Sequence, residues 1–210
     1  MRISTTTLES YRLWRDPNQE WMTEADLMDS IRGVWKPTHK VELGSAFGKV
    51  LEDPDRFLIP GGFECQGFAF GRDVIDPCLA VIDRRGVFEA KALKAYGDCD
   101  VVSKADHLLG SHLSEFKTTL STFDVQKYLD SYQWRFMADA LQPSQITYHV
   151  FCLSEAAGNG VIGLRDIHSF NVYPYAAMHE DCAGLVQEFA GYVVSRGLDG
   201  VLRARQREAA

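Results

Sequence analysis

Long apolar runs are missing from these 210 residues: the longest, such as Cys78-Leu79-Ala80-Val81-Ile82, fall far short of the roughly 20 residues that span a bilayer. Behind Met1-Arg2, the segment Ile3-Ser4-Thr5-Thr6-Thr7 is polar and lacks the hydrophobic stretch of an export signal, so a cytoplasmic protein that keeps clear of membranes is expected. Closely spaced cysteines are missing too. Cys65, Cys78, Cys99, Cys152 and Cys182 are odd in number, far apart, and form no Cys-x-x-Cys pair. They read as reduced, buried thiols rather than a zinc ribbon or an iron–sulfur cluster. Nor is there an excess of positive charge. Lys and Arg number 22 against 29 Asp and Glu, a net charge of −7, which excludes a protein that coats nucleic acid with a broad basic face. An enzyme that gathers divalent cations and a few phosphates in one acidic cleft is still allowed.

What is present is ordinary globular composition, 46% apolar and 24% charged, with no repeat or low-complexity tract. The length predicts a single domain over 1–210. Its core would run from about 40 to 175, after a helical N-terminal elaboration (1–35) and before a C-terminal helix (176–197). Helix-like spacing covers 8–14 and 20–31, and 44–52 reads as a short helix ended by Asp53-Pro54. Then the period changes. Segments 87–96, 100–109 and 112–118 are rich in apolar and β-branched residues, divided by Gly97-Asp98 and Gly110-Ser111, which predicts an antiparallel three-strand meander. Val125, Tyr128, Leu129, Tyr132, Phe136 and Ala140 recur at helical steps, so one amphipathic helix is expected, capped by Thr122 with Asp124 at its positive end and stopped by Pro143. Strands over 146–153 and 167–173, joined through Gly158-Asn159-Gly160, precede a last helix over 176–195 with Gly197 as its cap.

Asp106 lies near the end of the second meander strand, and Glu115-Phe116-Lys117 follows on the third. Strand alternation turns Glu115 and Lys117 to one face and Phe116 to the other. A hairpin centred on Gly110-Ser111 sets Asp106 opposite Glu115. Two carboxylates opposed across a sheet repel, an arrangement unfavourable for stability alone. A divalent cation between them converts repulsion into ligation, and hard oxygen donors suit Mg2+ or Mn2+. Lys117 can hold an attacking water or neutralise a phosphate.

An aspartate, a turn, then Glu-x-Lys resembles the PD-(D/E)XK nuclease superfamily. The likeness extends to Tyr128-Leu129-Asp130-Ser131-Tyr132-Gln133-Trp134-Arg135, similar to the helix after the lysine strand in RecB-like nucleases and phage recombination exonucleases. Leu43-Gly44-Ser45-Ala46-Phe47 and Val50-Leu51-Glu52 resemble that branch's preceding helix, so the similarity covers about 40–153. The resemblance implies a restriction-endonuclease-like α/β core, a mixed sheet with its antiparallel meander flanked by helices. It implies Asp106, Glu115 and the Phe116 carbonyl as metal ligands, Lys117 orienting water, and Gln133 near the cleft or the DNA backbone. Two-metal hydrolysis of DNA would leave 5′-phosphate and 3′-hydroxyl ends. An exonuclease of recombination or repair is favoured by the helix motif. Its expected partners are DNA, a single-strand annealing protein and further copies of itself, in a bacterial or phage-infected cell. Where family members often carry a helix histidine, this chain has Gly48, and Met137 stands where an aromatic often does. Glu52 can reach toward the metals instead. Another reading is a catalytically impaired nuclease fold kept for DNA binding or assembly; a third is a repair or CRISPR-adaptation nuclease.

Competing signals are weaker. Glu89-Ala90-Lys91 repeats the Glu-x-Lys spacing, but without a matching upstream aspartate or following helix it reads as surface charge pairing. Gly44-x-x-x-Gly48-Lys49 fails as a phosphate loop, one residue short and with Val50 in place of Ser or Thr. The six histidines lack zinc-like spacing. Lys127 and Arg135 flank the cleft helix as DNA contacts, Trp134 packs or stacks on a base, and Arg203, Arg205 and Arg207 read as a solvated tail.

Overall fold

The computed structural model describes residues 1–19, 22–34, 36–156 and 160–202. Its elements are β1 (Arg2–Ser4), α1 (Thr5–Arg15), α2 (Glu24–Arg32), α3 (His39–Glu52), α4 (Pro54–Phe57), β2 (Leu58–Ile59), β3 (Gly62–Cys65), β4 (Phe68–Gly71) and α5 (Arg72–Ala80). They continue with β5 (Val87–Tyr96), β6 (Cys99–Leu109), β7 (His112–Thr119), α6 (Val125–Leu129), α7 (Gln133–Leu141), β8 (Gln145–Glu155), β9 (Ile162–Val172) and α8 (Met178–Ser195). The strands form one nine-stranded mixed sheet in the order β1-β6-β7-β8-β9-β4-β3-β2, with β5 on the far edge of β6. β1 with β6, β7 with β8, and β4 with β9 are parallel; the other pairs are antiparallel.

Alternation along β8 shows how the sheet is sandwiched. Ile146, Tyr148 and Val150 face a core built with α1, α2, α7 and α8, through Leu8, Leu27, Phe136 and Phe189. Phe151 and Leu153 face the opposite core, shared with Phe47, Val50 and Leu51 of α3, Phe63 and Phe70 of the small strands, and Ile75 of α5. Phe47 packs edge-on against Phe70 and tilted against Phe151, all three fully buried. All five cysteines are buried and free, as their spacing implied.

The meander strands lie where composition put them, within a residue at each end. Several other expectations need correction. β1 was read as a polar stretch, yet Ile3 is buried and pairs with Val101. Ser4 then caps α1, its hydroxyl accepting the Thr7 N–H at 3.1 Å. α2 begins at Glu24 behind a reciprocal Thr23–Asp26 capping box, and α3 begins at His39 rather than 44. The helix expected over 125–140 is two helices, α6 and α7, with Asp124 and not Thr122 as the cap. In the break between them, the Arg135 Nη1 donates to the Asp130 and Ser131 carbonyls at 3.0 and 2.7 Å, satisfying groups that a continuous helix would pair internally. β9 starts five residues earlier than expected, at Ile162. Gly158, Asn159 and the arginines at 203, 205 and 207 lie outside the described residues. Gly197 follows α8 with φ +65°, and Leu198 N–H closes back to the Val193 carbonyl.

Two positions give tests of this packing. Within α3, a Cβ at Gly48 would meet nothing within 4 Å, whereas one at Gly44 would stand 2.7 Å from the Thr118 hydroxyl of β7. Gly48→Ala is therefore expected to raise stability by about 1 kcal/mol, from helix propensity and a less flexible unfolded chain. Gly44→Ala gains less, because Thr118 must move; denaturant titration of both variants checks the order.

The second is Asp139 on α7, which is buried and ties that helix to β5 and α8. Its carboxylate accepts from the Tyr96 hydroxyl (2.6 Å), Lys94 Nζ (2.7 Å) and His179 Nδ1 (2.9 Å). Burial pushes this carboxyl up, but the three donors and the lysine charge more than offset it and hold it below the usual range. A depressed native pKa contributes stability that is present above the unfolded value near 3.9 and is lost as pH falls through the native value. Asp139→Asn should thus cost about 1–3 kcal/mol at pH 7, with the gap from wild type narrowing below about pH 4 in thermal melts.

Candidate active site

β6 is held on one edge by β5, from Tyr96 opposite Cys99 to Val87 opposite Leu108, with Asp106 alone skipped between them. Its other edge is divided. β1 takes Asp100 to Val102, and β7 takes His107 to Leu109. Among the described residues no strand pairs with 103–106 on that edge, because β7 swings away after Ser114 and continues in parallel register with β8. The hairpin is centred as expected, but the ladder ends one position short of the Asp106–Glu115 pair. In place of a ladder bond, the Asp106 carboxylate reaches across the fork and accepts the Phe116 N–H at 2.6 Å. In an extended strand one residue's N–H and C=O project to the same edge, so the Phe116 carbonyl faces the fork as well.

Glu115 and Lys117 share a face, two residues apart, and Lys117 Nζ donates to Glu115 Oε1 at 2.5 Å. Gln133, at the first turn of α7, brings its Oε1 to 3.4 Å from the same ammonium. Phe116 turns the other way, against Phe88, His149 and Phe151. Glu115 is 4% exposed, and its Oε2 is the one buried side-chain polar atom without a hydrogen-bond partner among the described residues. Such an orphaned oxygen is costly. Burial, and next the charge of Glu115, push the Asp106 carboxyl up to about 7, although Lys117 and the Phe116 N–H pull the other way. Burial pulls Lys117 down, but Glu115 and Asp106 outweigh it and hold the ammonium charged.

Glu52, the last residue of α3, is set against Glu89 rather than against this pair. Burial and then the Glu89 charge raise its pKa. Arg84 holds the helix end, donating to the Leu51 and Glu52 carbonyls at 3.4 and 3.2 Å. Glu89 does pair with a surface lysine, Lys104, as the surface reading expected. That reading missed the rest. Glu89 occupies the β5 position across from Asp106, skipped by the ladder, at φ +58°, and its charge acts on both Glu52 and Asp106. A left-handed glutamate is a strained residue, and strain of this kind gathers at functional sites.

Among the described residues no three His, Cys, Asp or Glu side chains are grouped to hold a metal ion. The donors that converge on the fork are two carboxylates and a backbone carbonyl, all oxygen. That set suits Mg2+ or Mn2+, which keep several waters and need only one or two carboxylates. The six histidines take structural roles or lie outside the fork: His107 Nε2 donates to the Arg85 carbonyl at 2.6 Å, and His112 and His149 bond hydroxyls of Thr147 and Ser169.

Beside the fork, Lys117 lines a cleft of about 600 Å3 together with Glu9, Arg12, Lys127, Gln133 and Tyr148 among others, while Asp106 and Glu115 sit behind it and do not line it. Lys127 is exposed at its rim. Arg135 is engaged with Asp130, Ser131 and the Tyr175 hydroxyl, and its guanidinium stacks over Trp134 and Tyr132, so it organises the α6–α7 break rather than standing free. Trp134 packs: it is buried, with Nε1 donating to the Leu129 carbonyl. Glu9, Arg12 and Tyr148 went unread in the sequence. Glu9 holds Arg12 (2.7 Å) and accepts the Tyr132 N–H (2.8 Å) from 123 residues away, a contact no local pattern announces.

No family model matches the chain, and no curated protein is significantly similar to it. Among solved structures, the protein SSO0001 superposes with a TM-score of 0.48 at 10% identity, covering 89% of this chain and 73% of its own. A protein of Eubacterium rectale, provisionally named an exonuclease, gives 0.46 at 10% identity over 94% of this chain and 82% of its own.

Proposed function

We propose that this chain is a metal-dependent deoxyribonuclease that hydrolyses phosphodiesters at the β6–β7 fork, acting as an exonuclease on duplex ends. The observation that carries this reading is the buried, unpartnered Glu115 Oε2 beside a second carboxylate, Asp106, whose own ionisation is disfavoured. A folded chain tolerates that pair most readily when a cation completes it.

In this reading Asp106, Glu115 and the Phe116 carbonyl would hold a divalent ion, which when bound would lower the pKa of water and stabilise charge on the phosphate. The remaining work falls to the chain. Lys117, kept charged by Glu115, donates to the water oxygen that attacks phosphorus, and Gln133 restrains the ammonium. The water oxygen bonds to phosphorus, the P–O3′ bond breaks, the water proton passes to solvent, and the departing 3′ oxygen takes a proton from solvent. A 5′-phosphate and a 3′-hydroxyl result. Lys127 meets the strand at the cleft rim.

Incubation with end-labelled linear and closed circular DNA, in Mg2+, Mn2+ or EDTA, tests the proposal. Loss of linear DNA alone, and only with metal, is expected. Cleavage of the closed circle rejects the exonuclease assignment, and binding without cleavage under every condition favours an inert nuclease fold retained for assembly.

A further inference from the structure

The cleft floor holds a group that the proposed chemistry does not use. Tyr148 lies on β8 directly beside Glu115 in the parallel ladder and is 1% exposed, yet it lines the cleft together with Lys117 and Gln133. A side chain so covered can contribute little to the cleft except its hydroxyl tip. The ring is clamped: it stacks on Phe170 at 5.2 Å and 8°, and Tyr128 leans on it at 5.7 Å. A tyrosine hydroxyl at the tip of a covered ring normally finds a partner. No protein hydrogen bond to this one is formed among the described residues.

We infer that Tyr148 is a further catalytic residue, whose hydroxyl donates a hydrogen bond to a non-bridging oxygen of the phosphodiester bound beside Lys117. The inference rests on the nuclease reading above and adds a neutral donor to its substrate contacts. Two features support the assignment. The hydroxyl enters the cleft from the same face as Lys117, because Glu115 and Tyr148 are register partners and Lys117 stands two residues on. The clamp fixes its direction before substrate arrives, so little reorganisation is needed, which is the condition under which a hydrogen-bond donor contributes most to a developing charge.

Tyr148→Phe removes one oxygen and keeps the ring in its stack. Single-turnover cleavage of linear duplex is expected to slow about 100-fold, the usual effect of losing one preorganised donor, with the melting temperature and the Mn2+-induced melting shift unchanged. A second measurement needs no turnover: with tyrosine labelled at the ring carbon bearing oxygen, inorganic phosphate in the presence of Mg2+ should shift one resonance that is missing in Tyr148→Phe. An unchanged cleavage rate in Tyr148→Phe, while Lys117→Ala loses activity, overturns the inference and leaves the nuclease reading standing. A changed Mn2+ shift also overturns it, since the hydroxyl would then act on Glu115. A phosphate titration that leaves the Tyr148 resonance in place does the same. If wild type fails to cleave, or Lys117→Ala is as active as wild type, the nuclease reading itself fails and takes the inference with it.

Discussion

Lys117→Ala is expected to reduce metal-dependent cleavage of linear DNA by about 100- to 1000-fold, the loss that follows removal of one preorganised donor at the reacting phosphate. The ammonium stands 2.5 Å from Glu115 Oε1 and within reach of Gln133, so its direction is set by groups on two different elements. Removing it also strands Glu115, since among the described residues Oε2 already lacks a partner and Oε1 would lose its one side-chain donor. Stability should fall by about 1–3 kcal/mol for a buried acceptor left unsatisfied. Saturating Mn2+ should restore part of that loss, because the carboxylate regains a partner. Lys117→Arg separates the two effects. It returns a charge to Glu115 and with it stability, but its planar fork cannot place a single donor where the ammonium was, so cleavage stays low. Full activity in Lys117→Ala under Mg2+ would exclude the lysine from the chemistry.

Asp106→Asn should produce opposite changes in the absence and presence of metal. Without added cation the variant is expected to melt higher than wild type, because a carboxamide removes the repulsion with Glu115 and still accepts the Phe116 N–H. With Mn2+ at about 100 times its dissociation constant, wild type should gain about 2.7 kcal/mol by mass action. In a chain of this length that is roughly 5–10 °C. The variant should gain little and should not cleave. A wild-type-sized Mn2+ shift in Asp106→Asn would place the ion elsewhere.

Much of this site could be read before any coordinates. The meander boundaries follow from Gly97-Asp98 and Gly110-Ser111, whose turn chemistry fixes the hairpin centre and so the approach of Asp106 to Glu115. Alternation alone placed Lys117 beside Glu115 and Phe116 in the opposite core. The fork was not legible. It exists because β1, a three-residue strand from the far N-terminus, occupies β6 up to Val102, and because β7 finds a longer partner in β8; both are contacts between distant segments. The α6–α7 break was hidden for a related reason. No glycine or proline marks Asp130-Ser131-Tyr132, and the apolar stripe runs on through it, while the side chains of Arg135 in α7 and Glu9 in α1 satisfy the backbone groups at the break. Glu89 pairs with a surface lysine as its spacing implies, while its left-handed backbone and its two neighbours, Glu52 and Asp106, are connected by no spacing rule. Tyr148 was read only as a strand residue, since a buried aromatic on an alternating strand is ordinary until its hydroxyl is seen to reach a cleft.

The central claim is that the two acids at the fork coexist because a divalent ion joins them. Anomalous diffraction from a crystal soaked in Mn2+ addresses it directly. A peak bridging Asp106, Glu115 Oε2 and the Phe116 carbonyl is the predicted result; an ordered fork with no peak there, under Mn2+ that supports cleavage in solution, would contradict it.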